Sequence, residues 1–200
     1  MVRILFKLII CALLAAAAGV AFAAARSGDA LYTIHEWINP ARFQQYDRLI
    51  QTVAAEHRID PALVKAVVWR ESRFDPQKFG NAGERGLMQV SEIAANEWAR
   101  QTHVENFRVE ELFDPKTNLE AGTWYLSRAI QHWQRQSYPL PFALAEYNAG
   151  ASRAQRWAGG DNETVISPQA FRRNIDFPGT RNYIDSILAR YRFYKRRGRM

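Results

Sequence analysis

The stretch that decides the fold runs from residue 60 to residue 90 and reads DPALVKAVVWRESRFDPQKFGNAGERGLMQV. Asp60 and Pro61 predict a helix start, because an aspartate can cap free amides and a proline suits the first helical position. Three valines recur at helical spacing, and Glu71 falls on the same apolar face. Burial raises the pKa of a carboxyl group, so Glu71 is a candidate general acid. On spacing alone, the competing interpretation is a boundary residue that pairs with a neighbouring arginine.

A glycine-rich turn follows this helix. The pair Asp75-Pro76 predicts the helix end, because the residue before a proline disfavours the helical conformation. Gly80, Gly83 and Gly86 then occur within seven positions, and such a segment can bring bare backbone close to a ligand. Gln89 adds an amide. A buried acid, a glycine-rich wall and an amide donor together predict a sugar-binding site.

Four motifs occur in order along the chain: Glu71-Ser72, Gly86–Gln89, Ala145–Gly150 and Thr180–Ile184. Together they resemble the motifs of the soluble lytic transglycosylase (SLT) domain, a lysozyme-like catalytic domain that cleaves bacterial peptidoglycan. The resemblance spans residues 41–194. It implies an all-α, single-domain, lysozyme-like fold with a glycan-binding groove. The residue pattern agrees with a mainly α-helical fold, because it contains no internal repeat and no convincing strand run.

The resemblance also implies a reaction. Glu71 would first protonate the glycosidic oxygen between N-acetylmuramic acid and N-acetylglucosamine, and then, as a carboxylate, take a proton from the C6 hydroxyl of the same muramic acid. That hydroxyl attacks C1 and leaves a 1,6-anhydro end without using water. The substrate's 2-acetamido group can stabilise the intermediate, so no second enzyme carboxylate is needed. An intramolecular nucleophile avoids the entropy cost of capturing water.

The resemblance assigns substrate-binding positions to six residues: Ser72, Met88, Gln89, Tyr147, Asn148 and Tyr183. Ser72 would support the acid at the end of its helix, and Met88 and Gln89 would line the groove. Tyr147 would hydrogen-bond toward the acid, Asn148 would hold its surroundings, and Tyr183 would complete the floor. On pattern alone, Asn148 is equally well a helix-end residue, and Tyr183 is a core residue.

One segment departs from the family pattern. Relatives usually carry Ser-Pro-x-Gly-Ala before the Gly-Leu-Met-Gln motif, whereas this chain has Gly80, Asn81, Ala82, Gly83 and Glu84. Asn81 is a candidate substitute for the missing serine. Glu84 could act as a second carboxylate and favour hydrolysis. The alternatives to a transglycosylase are therefore a goose-type-lysozyme-like hydrolase, or a glycan-binding assembly factor of a secretion or conjugation apparatus.

Residues 1–25 predict a signal peptide, with a membrane anchor as the alternative. Arg3 and Lys7 precede an apolar run, and small residues that suit cleavage follow it. The only cysteine, Cys11, lies inside this run after two isoleucines, which is not typical of a lipoprotein. We therefore expect a periplasmic or secreted protein, anchored in the inner membrane only if the segment is retained.

Charge and histidine content limit the partners. The net charge is +7, and the basic surplus gathers near the C-terminus, from Arg190 onward. We interpret it mainly as a solvated helix end, and expect peptidoglycan strands rather than nucleic acid as the partner. The four histidines show no metal-ligand spacing, and His132 is expected at the surface, so we predict no metal and no cofactor.

We expect a lead-in at 26–40 that packs on the domain, a catalytic domain at 41–194 and a basic tail at 195–200. The pattern also predicts several elements. They are a helix from Pro40 to about His57, a helix over 91–101 with Ile93, Ala94 and Trp98 inward, a long helix capped by Asn118, a short apolar helix over 142–147, an irregular groove wall or mobile loop over 157–178, and a last helix from about Thr180.

Overall fold

A computed structural model of the chain describes residues 2–25, 29–160 and 164–198. Within these ranges the chain forms α-helices, one 3-10 helix at Val109–Phe113 and no strand, which confirms the all-α prediction. The α-helices are α1 (Val2–Ala25), α2 (Ala30–Ile38), α3 (Pro40–Gln44), α4 (Asp47–Glu56), α5 (Pro61–Ser72), α6 (Glu92–Gln101), α7 (Pro115–His132), α8 (Leu140–Ala149), α9 (Ala151–Ala158), α10 (Pro168–Asn174) and α11 (Pro178–Arg197).

The core is built around α5, which is buried on nearly every side. The Asp60 carboxylate accepts the N–H of Ala62 at 3.0 Å, and Pro61 occupies the first turn, so the predicted helix start is confirmed. The helix packs against α4 and α11, and its three valines are fully buried. A helix that is apolar all round belongs in an interior. Glu71 is thereby carried to the C-terminal end of the most buried helix.

The lead-in contains a helix that its weak periodicity did not predict. Asp29 caps α2 by accepting the N–H of Tyr32 at 3.0 Å. The Tyr32 hydroxyl donates to the Arg73 carbonyl at 3.0 Å, and the Arg73 guanidinium pairs with Asp29 at 3.0 Å. The predicted packing is therefore correct. A helix of nine residues is marginal alone, and these contacts with the end of α5 hold it.

The predicted helix from Pro40 to His57 is interrupted. The chain forms α3 and α4 instead, with a break at residues 45 and 46. The break places Asp47 in the first turn of α4, where a carboxylate interacts favourably with the helix dipole. Asp47 also pairs with the buried ammonium of Lys65 at 2.5 Å.

The sequence predicted Asn118 as the cap of the long helix, and this prediction is wrong. Asp114 caps α7 by accepting the N–H of Thr117 at 2.9 Å, and Pro115 takes the first position. Asn118 lies one turn further on and is fully buried. It makes three hydrogen bonds of 2.7 Å, from the Met88 N–H and to the carbonyls of Arg85 and Leu112. It ties the glycine-rich turn to α7.

The inward face of α6 was predicted with one error. Trp98 is buried and Ala94 half-buried, but the Ile93 side chain is 84% exposed. The buried stripe of α6 consists of Ala95, Trp98 and Ala99, at positions i, i+3 and i+4. Ile93 lies off this stripe and therefore faces solvent.

The stretch over 157–178 is more regular than predicted. Trp157 is buried in α9, and α10 begins after Ser167, whose hydroxyl accepts the N–H of Ala170 at 3.2 Å. Phe171 of α10 stacks on Phe142 with ring centroids 4.0 Å apart, which fixes α10 on α8. Residues 161–163 of the predicted loop lie outside the described residues. The polar composition obscured the Ser-Pro helix start.

The last helix, α11, begins two residues before the predicted Thr180, and it is not uniformly solvated. Arg190 is fully buried, with its guanidinium 4.3 Å from the ring centroid of Trp69 and 3.2 Å from a carboxylate oxygen of Glu36. Lys195 pairs with Asp60 at 2.6 Å. These cations join α11 to α2 and α5, because a buried charge requires a partner.

The first helix is different in character from the rest. Residues Leu5–Phe22 have a mean hydropathy of 2.4, and none of this segment is buried within the protein. The segment is long and apolar enough to cross a bilayer, and it lies near the N-terminus. Both a signal sequence and an anchor fit this helix.

Candidate active site

The site is a cleft of about 580 Å³ at the C-terminal end of α5. We call it the main cleft. Its lining includes Glu71, Glu84, Gln89, Tyr125, Tyr147 and Asn148. The fold thus brings four of the residues predicted from the motifs, Glu71, Gln89, Tyr147 and Asn148, to one surface from α5, the glycine-rich turn and α8.

Glu71 has the electrostatics of an acid that works near neutral pH. Burial raises its pKa to about 7, and the nearby Glu84 charge acts in the same direction. A hydrogen bond from Tyr183 and the charges of Arg70 and Lys78 oppose this rise in pKa. At neutral pH the group therefore exists in both forms, so it can donate a proton and later accept one.

The Tyr183 hydroxyl, and not that of Tyr147, forms the hydrogen bond to the acid. The Tyr183 hydroxyl donates to Oε1 of Glu71 at 2.6 Å, whereas the Tyr147 hydroxyl donates to the Met88 carbonyl at 3.0 Å. Tyr147 therefore makes no hydrogen bond to the acid here, although burial and, to a smaller degree, the nearby Glu71 charge raise the pKa of Tyr147. The reason is that α11 packs directly on α5, so Tyr183 faces Glu71. Tyr147 packs edge-on against Tyr125, with ring centroids 5.7 Å apart.

Two predicted groove residues lie beneath the surface instead. Met88 is fully buried, because Gly122 leaves room for its side chain; a Cβ at Gly122 would approach the Met88 sulfur to 2.7 Å. Ser72 is also buried, and its hydroxyl donates to the Val68 carbonyl at 3.2 Å. Neither side chain therefore faces the main cleft in this structure, and their substrate-binding roles stay predictions. Met88 contributes its backbone, which links Asn118 to Tyr147.

Gln89 and Asn148 fix the walls of the main cleft. The Gln89 amide donates to the carbonyls of Lys78 at 3.0 Å and Gly86 at 3.1 Å, which closes the glycine-rich turn. The side-chain amide oxygen of Asn148 accepts a hydrogen bond from the Thr180 hydroxyl at 2.8 Å, which joins α8 to α11. Both residues line the cleft, so they remain predicted substrate-binding residues.

Four acids lie near Glu71 in the chain or in the third motif: Asp75, Glu84, Glu92 and Glu146. Of these, Glu84 lines the main cleft together with Glu71. One carboxylate oxygen of Glu84 accepts the N–H of Ala82 at 3.0 Å. A Cβ at Gly80 would lie 2.3 Å from that oxygen and 2.8 Å from the Gln89 amide oxygen. The absence of a side chain at position 80 therefore leaves the space that the Glu84 carboxylate occupies.

Glu146 is occupied elsewhere. Its carboxylate lies 2.6 Å from Nδ1 of His132 and accepts the indole N–H of Trp133 at 2.7 Å. The predicted surface position of His132 is therefore corrected to a half-buried one, because the ring packs against Trp133 beside this carboxylate. Within the described residues, no group of three or more potential ligands could hold a metal ion.

Sequence reasoning missed three residues that shape the site. Lys78 donates to the backbone carbonyl of Glu71, Tyr125 supplies part of the cleft wall, and Asn118 supports the turn. None belongs to a motif that points to the site. A second cleft, of about 400 Å³, adjoins the first and is lined by residues that include Arg70, Asn148, Arg153, Phe177 and Tyr183.

Replacing Tyr183 with phenylalanine is expected to lower turnover about tenfold, because a hydrogen bond to the acid is lost. That hydrogen bond lowers the pKa of Glu71, so its removal raises this pKa further. A general acid is active only while protonated, so the alkaline limb of the pH–rate profile should move to higher pH. The profile of kcat/KM against pH measures this shift.

The matched control is Tyr147→Phe, which removes a hydroxyl that bonds to the Met88 carbonyl and not to Glu71. Its alkaline limb should stay in place. An unmoved limb in Tyr183→Phe would contradict the coupling between Tyr183 and the acid.

The chain is similar in sequence to known proteins of one kind. The family model described as the transglycosylase SLT domain matches residues 48–169. The chain is 28% identical over 151 residues to the soluble lytic murein transglycosylase of Escherichia coli K12, covering 75% of the chain and 23% of that relative. It is 33% identical over 112 residues to the membrane-bound lytic murein transglycosylase F of Desulfosudis oleivorans, covering 54% of the chain and 23% of that relative.

Solved structures show the same fold. The crystal structure of the 70-kDa soluble lytic transglycosylase of Escherichia coli aligns with a TM-score of 0.68 and 27% identity over 76% of the chain. A complex of the 70-kDa soluble lytic transglycosylase with bulgecin A aligns with a TM-score of 0.70 and 28% identity over 78% of the chain. The alignments cover 24% and 25% of those chains, so the present chain spans about a quarter of their length.

Proposed function

The chain belongs to the transglycosylase SLT domain family, and we propose that it is a lytic murein transglycosylase. It cleaves the bond between N-acetylmuramic acid and N-acetylglucosamine in peptidoglycan and leaves 1,6-anhydro ends. The observation that carries this proposal is Glu71, an acid with a pKa of about 7 at the wall of a cleft, held by the Tyr183 hydroxyl.

One carboxyl group performs both proton transfers in this reaction. Protonated Glu71 donates to the glycosidic oxygen, and the resulting carboxylate accepts the proton of the muramoyl C6 hydroxyl as that oxygen attacks C1. The pKa of about 7 supports both steps, because neither form of Glu71 is rare at neutral pH. The hydrogen bond from Tyr183 stabilises the carboxylate that forms between the two steps.

The test is mass spectrometry of muropeptides released from purified peptidoglycan by the full chain in mild detergent. We expect products lighter by one water than reducing muropeptides. Reducing ends as the main product would contradict the transglycosylase proposal and favour hydrolysis. The absence of any release would favour the assembly-factor interpretation.

Hydrolysis is a second candidate, because Glu84 lies in the same cleft as Glu71. A second carboxylate can activate water, as in hydrolytic glycosidases. If Glu84 does so, the Glu84→Gln variant should release a smaller fraction of reducing ends. The Glu84 charge raises the pKa of Glu71, so its removal should also move the alkaline limb of activity to lower pH. The ratio of reducing to anhydro products, measured by mass spectrometry, shows whether Glu84 activates water or only shifts the pKa of Glu71. An unchanged ratio would exclude the hydrolytic role.

The apolar α1 helix bears on where the protein acts and on what it meets there. We infer that the α1 helix directs the chain to the periplasm, where peptidoglycan is accessible, either as a cleaved signal or as an anchor. Peptidoglycan strands are the proposed partner. Docking to a secretion or conjugation apparatus through the basic C-terminal end stays a prediction.

A further inference from the structure

The second cleft carries two cations that take no direct part in the proposed proton transfers. Arg70 and Arg153 line it together with Asn148, Phe177 and Tyr183. In the part of the chain that the structure describes, neither arginine forms a salt bridge with a carboxylate, although the Arg70 charge acts on Glu71. Other surface arginines do pair, for example Arg172 with Asp185 at 2.5 Å. Two unpaired guanidinium groups beside one concave surface are suited to an anion.

Aromatic rings hold both guanidinium groups in place. The Arg70 guanidinium lies 5.5 Å from the centroid of the Tyr183 ring, and that of Arg153 lies 5.3 Å from the centroid of the Phe177 ring. Arg153 also donates to the Ala149 carbonyl at 3.2 Å. Each group keeps further N–H donors for a ligand, because a guanidinium has five. The cations are therefore positioned before a ligand arrives.

The second cleft adjoins the position where the bond is cleaved. Asn148 lines both clefts, and Tyr183, which lines the second, donates to the Glu71 carboxyl in the first. The Arg70 charge also acts on Glu71, so a substituent of a muramoyl residue bound at Glu71 is within reach of the second cleft. That residue carries a carboxylate either on its peptide stem or, where the stem is absent, on its free lactyl group, whereas N-acetylglucosamine carries none.

We propose that the second cleft is a carboxylate-binding subsite for the muramoyl substituent, with Arg70 and Arg153 as its cationic ligands. The inference rests on the proposed function and extends it to the part of the substrate outside the sugar ring. It makes recognition depend on an anion that chitin lacks. The bound carboxylate also offsets the Arg70 charge, which otherwise lowers the pKa of Glu71, so a bound substrate helps to keep the acid protonated.

The experiment measures binding by calorimetric titration in the full-length Glu71→Gln variant, which removes turnover from the readout. Three ligands are compared: a tetrasaccharide with peptide stems, the stem-free tetrasaccharide with its free lactyl carboxylate, and chitotetraose. Adding Arg153→Gln should weaken binding of at least one carboxylate-bearing ligand roughly tenfold, the effect of losing a charge-assisted hydrogen bond. Binding of chitotetraose should change by less than about twofold. The weakened ligand identifies the stem or the lactyl group as the source of the carboxylate.

Arg100→Gln is the matched control, because Arg100 is exposed and lines neither cleft. It should leave all three affinities unchanged. Equal weakening of all ligands by Arg153→Gln, or no weakening, would overturn the subsite while leaving the proposed function intact. If none of the three glycans binds the Glu71→Gln protein, both the subsite and the proposed function fail.

Discussion

Replacing Glu71 with glutamine should reduce release of muropeptides from peptidoglycan by about 10²–10⁴-fold, the usual contribution of a general acid and base. The variant keeps the shape of the side chain and can still accept the Tyr183 hydroxyl, but it cannot transfer a proton. The initial rate of release, quantified by mass spectrometry, measures the effect. A residual rate within tenfold of the native protein would show that another group carries the reaction.

Stability measurements provide the control for this variant, and their sign is fixed by the pKa of Glu71. That pKa is about 7 in the folded protein, against an ordinary value of 4.5. Between these values the folded state keeps a proton that the unfolded chain has released, so the free energy of unfolding falls as pH rises from 4.5 to 7. The loss amounts to up to about 3 kcal/mol.

Glutamine cannot ionise, so Glu71→Gln should be more stable than the native protein above pH 7 and similar to it below pH 4. Urea denaturation at pH 8 and at a pH below 4 tests this expectation. A variant that is less stable at pH 8 would mean that the loss of activity reflects damage to the fold. A gain in stability with a loss of activity is the pattern expected when a buried ionisable group is kept for function.

Replacing Asn118 with alanine should lower the free energy of unfolding by about 3–5 kcal/mol, because three buried backbone groups lose their partners and each costs about 1–3 kcal/mol. These groups are the Met88 N–H and the carbonyls of Arg85 and Leu112. Urea denaturation followed by circular dichroism measures the change. Activity should fall as well, since the released turn includes Gln89 and Glu84, both of which line the main cleft.

Asn96→Ala is the matched control, because Asn96 is exposed on α6. We expect its free energy of unfolding to stay within about 0.5 kcal/mol of the native value. If Asn118→Ala costs less than about 1 kcal/mol, water replaces the amide, and the turn does not depend on α7.

The sequence predicts the acid and its helix well, because the signals are local. Asp60, Pro61 and the valine spacing define α5 within one short segment, and Glu71 follows from that helix. The hydrogen-bond partner of Glu71 cannot be predicted from local signals. Tyr183 is 112 residues away in the chain, and two motif tyrosines are chemically equivalent candidates for the same hydrogen bond. Only the packing of α11 on α5 decides which hydroxyl reaches the carboxyl.

Buried polar residues account for most of the other differences. Arg190 belongs to a basic run, and Asn118 stands where a helix cap is common, so local reasoning places both near solvent. The structure buries both, and each is satisfied by groups from distant segments: Glu36 and Trp69 around Arg190, and the glycine-rich turn around Asn118. Composition and spacing carry no record of such partners.

The contact between Gly80 and Glu84 restricts the order in which these two positions can change over generations. Any side chain at position 80 would occupy the space of the Glu84 carboxylate, which would have to swing away and give up its hydrogen bond to Ala82. The serine that the family resemblance leads us to expect at position 80 would therefore compete with Glu84 for the same space. A lineage that regains a side chain at position 80 displaces the second carboxylate without any change at position 84.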